Sequence, residues 1–98
     1  MNGSLRVRLL LATQMALLGR VAANVRAISC GFFGGKIKAK AVFDGAILDS
    51  DREMMEDVGS ELASHFDGAN VEVECVRIDV PQRFRGEMLD WYVYLRKE

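Results

Sequence analysis

A chain of 98 residues, half of them hydrophobic and 28% charged, is expected to form one α+β domain spanning residues 1–98 around one core, and it is too apolar for disorder. The net charge of −1 points to neither nucleic acid nor membrane, and two cysteines are too few for a disulfide scaffold. The charge is unevenly spread: residues 1–43 carry seven bases and no acid, and residues 44–79 carry eleven acids against Arg52 and Arg77.

Taken in chain order, residues 4–22 read as a helix, with Leu5, Leu9, Ala12, Ala16 and Leu17/Leu18 at three- and four-residue spacing and Ser4 as cap. It is nearly all apolar, so it should be largely buried. Arg6 and Arg8 before the run Leu9 to Leu18 resemble a secretion signal. Thr13 and Gln14 interrupt that run, and Gly19-Arg20 closes it too early to span a bilayer.

Val25 to Phe33 and Lys36 to Phe43 read as two strands of a hairpin joined by Gly34-Gly35. In the second, Ile37, Ala39, Ala41 and Phe43 face one way and Lys36, Lys38 and Lys40 the other, which suits an edge strand or an open sheet face. A second helix runs from about Asp51 to Phe66, with Ser50 and Glu53 as a capping box and Met54, Val58, Leu62 and Phe66 as its buried stripe. Asn70 to Val80 is a third strand, whose apolar phase switches after Cys75 and suggests a bulge there. A polar connection over 81–88 leads to a fourth strand, Leu89 to Arg96. The expected fold is an α-β-β-α-β-β two-layer sandwich, with a four-stranded, mostly antiparallel sheet and two helices on one face.

Few residues promise chemistry. His65 is the sole histidine and has no nucleophile to pair with from sequence. No cluster has metal-ligand spacing, and the run Asp44 to Asp51 lacks the calcium-loop pattern. Gly31, Gly34 and Gly35 lie between strands, so they make no phosphate loop. The expectation is therefore no catalysis, no cofactor and no metal. Cys30 and Cys75 are expected to be reduced, in a cytoplasmic protein, although a disulfide remains open if their strands are neighbours. The strongest binding signal is acidic: Asp49, Asp51, Glu53, Glu56, Asp57 and Glu61 crowd the second helix. Like charges at four-residue spacing cost about 0.2–0.5 kcal/mol per pair. Such a stripe is either a solvated face or a surface for a positive partner. An alternative is a nucleic-acid- or ribosome-associated module using Arg26, the three lysines, Phe32 and Phe33. A third is a small enzyme or accessory subunit whose site needs a second chain.

Four stretches add a resemblance. They are Leu17-Leu-Gly-Arg-Val-Ala-Ala-Asn-Val-Arg-Ala-Ile-Ser29, Phe43-Asp-Gly with Asp49-Ser-Asp-Arg-Glu53, Val76-Arg-Ile-Asp-Val-Pro81, and Tyr94-Leu-Arg-Lys-Glu98. In this order they resemble short bacterial immunity proteins of contact-dependent growth inhibition and other polymorphic toxin systems. The resemblance implies a cytoplasmic toxin inhibitor that binds the C-terminal domain of its cognate toxin, often a nuclease with a basic cleft. It would make the six acids of the second helix a toxin-binding surface, although the basic N-terminal third could meet the toxin instead.

Overall fold

The computed structural model describes residues 2–98, with side chains from Leu5 onward. The elements are α1 (Asn2–Leu17), β1 (Val25–Phe33), β2 (Lys36–Phe43), α2 (Asp49–Ser64), β3 (Asn70–Arg77) and β4 (Trp91–Leu95), with a 3-10 turn over Arg85–Glu87. The sheet order is β3-β2-β1-β4. β1 pairs antiparallel with β2 and β4, and β2 pairs parallel with β3 across α2, so the sheet is mixed but mostly antiparallel. Gly34 and Gly35 turn the hairpin with φ of 55° and 83°. Both values lie in the left-handed region that a two-residue hairpin turn requires and that glycine adopts without a Cβ penalty.

Register places Ile28 opposite Ala41 and Cys30 opposite Ala39, on one face of the sheet. Leu9, Ala12 and Ala16 of α1 and Met55, Val58 and Leu62 of α2 join them in the core, so both helices cover that face. The approach of α2 to β3 is close: a Cβ on Gly59 would lie 2.7 Å from Cγ2 of Val73. α1 ends earlier than expected, at Leu17, with Gly19 at a φ of 74° in the turn that follows, and begins before Ser4, whose side chain lies outside the described residues. It is also less buried than its composition suggests, since Val7, Leu11, Met15 and Leu18 are exposed. Among the described residues, no helix is long and apolar enough to cross a membrane.

The lysine strand is not an edge: β2 is central, and the Lys40 and Val42 end of its far side is roofed by residues 78–90, of which 81–88 were expected as a polar connection, while Lys36 and Lys38 lie beyond that cover. Ser29 Oγ accepts the Leu89 N–H at 2.9 Å, and Lys40, only 8% exposed, pairs with Glu87 at 2.9 Å. Covering both faces also explains the apolar phase of β3. Cys75 faces the helices, Val76 lies beside buried Val42 on the roofed side, and the pairing with β2 runs without a bulge near Cys75. The irregularities fall elsewhere. In β4, Tyr92 and Tyr94 oppose the adjacent Ser29 and Ile28, so the strand does not keep simple alternation. In β1, Val25 and Ala27 oppose the adjacent Phe43 and Val42, leaving Arg26 as the extra residue of a bulge.

That bulge turns Arg26, 3% exposed, toward the roof. Its Nε and Nη2 donate to the Glu98 carboxylate, each at 2.8 Å, and Nη1 donates to the carbonyls of Ile78 at 2.7 Å and Gln82 at 2.9 Å. Its Cζ sits 4.7 Å from the Phe84 ring centre. Arg96 extends the network, donating to Glu98 and Asp44, while Asp44 accepts the Val80 N–H. Asp79 accepts from Gly45 N–H and from Arg77. The hydrogen bonds from Arg26 hold the Glu98 carboxyl down to about 2, from an ordinary 4.5.

Three outcomes follow from this packing. Gly59→Val overpacks the helix–sheet contact and should lower stability by about 1–3 kcal/mol in chemical denaturation. Arg26→Met leaves the carbonyls of Ile78 and Gln82 without their donor and should cost about 1–3 kcal/mol. Because the folded Glu98 carboxyl titrates below its unfolded value, its stabilisation is complete above pH 4.5 and disappears as pH falls toward about 2. Thermal unfolding of wild type and Glu98→Gln should therefore differ most near neutrality and converge in acid; a gap that stays constant down to pH 3 contradicts the ion pair.

Candidate functional site

The acidic helix α2 starts at Asp49, two residues before the expected start, with Leu48 as its N-cap. Asp51, rather than the expected Ser50/Glu53 box, closes the start by accepting the Leu48 N–H at 2.9 Å. Asp49 and Asp51 also stand in the first turn, where the positive end of the helix dipole favours anions. Met55, Val58, Gly59 and Leu62 form the buried side, and Met54, expected in that stripe, is 37% exposed.

The six acids separate into two groups. Asp51 is structural: besides the cap, it accepts from Asn24 Nδ2 at 3.0 Å. Glu61 is structural too, pairing with Arg20 at 2.8 Å across the α1–α2 junction. Asp49, Glu53, Glu56 and Asp57 are exposed on the side away from the core and make no ion pair among the described residues. Spacings of four, three and four (49–53, 53–56, 53–57) keep them on one helix side. This side is the strongest candidate for a charged contact surface.

The basic alternatives are largely engaged. Lys36 lies 3.6 Å from Glu72, Lys38 sits 5.7 Å from the Phe33 ring centre, and Lys40 is roofed. Phe32 packs edge-on against Phe66 and Trp91 at 6.1 and 5.9 Å, so it is a core ring rather than a stacking platform. In the N-terminal third, Arg6 lies over Trp91 and Arg8 over Phe66. An open basic sheet face with exposed rings, as nucleic-acid stacking would need, is therefore missing among the described residues.

His65 is exposed at the end of α2, and its carbonyl accepts from Arg8 at 3.3 Å. No three His, Cys, Asp or Glu side chains converge to hold a metal among the described residues. Cys30 and Cys75 are free, and β2 lies between their strands, about 10 Å across at the usual strand spacing, too far for a disulfide. Burial pushes the Cys30 thiol up to about 11 and also raises that of Cys75, so neither is poised as a thiolate.

What the sequence reading missed is the outward side of α1. Val7, Leu11, Met15 and Leu18 recur at helical spacing opposite buried Leu9, Ala12, Thr13 and Ala16. The signal was present in the excess of apolar residues: a helix packed on one side needs only one apolar stripe.

Residues 6–98 match the family model described as MafI2 immunity protein, so the chain belongs to that family and has a cognate toxin as its partner. No curated protein matches the chain.

The two groups of acids should separate in stability measurements. Asp57→Lys replaces repulsion with attraction toward Glu53 and Glu61 and should raise stability by about 0.5 kcal/mol. Glu61→Lys sets like charges together at Arg20 and should lower it by about 1 kcal/mol. Denaturant midpoints at low salt check both signs.

Proposed function

We propose, with membership of an immunity family as the premise, that this chain neutralises its toxin by direct binding rather than by chemistry, and that the toxin's active domain is a nuclease whose basic cleft meets the acidic side of α2. One observation carries the choice of surface. Asp49, Glu53, Glu56 and Asp57 remain exposed and without ion pairs among the described residues, although crowding them on one helix costs stability. Carboxylates held that way accelerate encounter with a cationic surface and discriminate against acidic ones.

The finer setting belongs to the same proposal. The toxin belongs to a contact-dependent growth inhibition system, carries its active domain at its C-terminus, and is met in the cytoplasm. The four-stretch sequence resemblance supports this setting.

Co-expression with the cognate toxin domain should restore growth. With the purified pair, Glu53→Lys combined with Glu56→Lys and Asp57→Lys should slow association by about tenfold or more at low salt and flatten its salt dependence. An unchanged rate and salt slope would remove the acidic side of α2 from the interface.

A further inference from the structure

α1 is apolar on two sides, whereas its packing uses one. Leu9, Ala12 and Ala16 meet the sheet and α2, while Val7, Leu11, Met15 and Leu18, at steps of four, four and three, form a ridge on the opposite side and are 54–74% exposed. Both helices bury one side on the same sheet face, so their exposed sides look away from it together. The apolar ridge of α1 therefore runs beside the acidic side of α2 on one outer surface. A groove of about 170 Å³ at the helix junction, lined by Arg20, Ala22, Ser50, Asp51 and Met54 among others, lies on the same layer.

We propose that this outer surface of the helical layer is where the toxin docks, with the α1 ridge as the apolar anchor and the α2 carboxylates as the charged border. The proposal rests on the toxin-binding reading above and adds the chemistry of the partner: apolar side chains bordered by lysines or arginines. The charge pattern selects this occupant. A second copy laid antiparallel on the ridge would match Val7 with Leu18 and Leu11 with Met15, but it would also stack one α2 over the other, acid against acid. Opposed like charges penalise that arrangement. A lipid surface suits an apolar ridge with a basic border; here Arg6 and Arg8 of α1 are turned onto the rings of Trp91 and Phe66, and the border that α2 supplies is acidic, which anionic headgroups repel. A basic protein surface satisfies both halves.

The two halves have different kinetic signatures. Desolvated apolar anchors set the lifetime of a complex, whereas charges at the border set its rate of formation. Leu11→Ala combined with Met15→Ala only trims exposed side chains, so the fold, followed by circular dichroism and unfolding midpoint, should be preserved. Measured against the purified cognate toxin domain, this variant should dissociate about thirtyfold faster or more, with association within about twofold of wild type. Arg83→Ala with Arg85→Ala, on the roofed side of the sheet, should change neither rate.

Wild-type dissociation from the Leu11/Met15 variant, while wild type itself binds the toxin, overturns the ridge and leaves the immunity reading standing. A larger loss from the Arg83/Arg85 variant also overturns it, by moving the toxin to the other face. A wild-type dimer in light scattering that the Leu11/Met15 variant converts to monomer, at unchanged toxin affinity, overturns it in favour of a second copy. Failure of wild type to bind the toxin at all is a different result, and it removes the function on which the ridge depends.

Discussion

A guanidinium taken out of water must find carboxylate and carbonyl partners, and in this protein the search by Arg26 organises one side of the sheet. Its four hydrogen bonds draw Glu98, Ile78 and Gln82 together, and its guanidinium carbon sits over the Phe84 ring. Charge-assisted bidentate pairing of this kind fixes geometry as well as contributing energy. The roof formed by residues 78–90 is therefore tied at one end by Arg26 and near the other by Ser29 and Lys40. The four stretches that carry the family resemblance converge on this network: Arg26, Asp44, Ile78 with Asp79, and Arg96 with Glu98 each come from a different one. Much of what makes the sequence look like an immunity protein is thus the chemistry that closes the fold, and such stretches identify the scaffold rather than the partner.

Closure on that side decides where binding can occur. The helices cover one face of the sheet and the 78–90 segment covers the Lys40 and Val42 end of the other, while Lys36 and Lys38 lie beside Glu72 and Glu74. On the outer side of the helical layer the chain places groups that its own packing does not use. Four carboxylates without ion partners among the described residues and four large apolar side chains stand there, while Asp51 and Glu61 from the same acidic run serve the fold. Division of one charged segment between internal and external work is common where a helix both packs and binds, because adjacent residues point in different directions.

The order of elements, the Gly34-Gly35 hairpin, the α2 core side and the concentration of acids could be read directly from the residues, because each depends on spacing within a few positions. Glycine pairs, period-two alternation and four-residue steps are local signals, and the backbone obeys them wherever the segment ends up. The immunity class was also legible, through stretches whose order in the chain survives without knowledge of the structure. Three things were decided only by tertiary packing. The lysines of β2 are central and partly roofed because strand order depends on which strands meet across long connections. The phase of β3 has no bulge behind it because the segment that covers Val76 follows it in sequence and returns over the sheet. The role of each acid depends on whether Asn24, Arg20 or nothing lies opposite. Partners many residues apart leave no trace in local pattern, so the sequence determined the composition of this surface, and the fold determined which of its residues face outward.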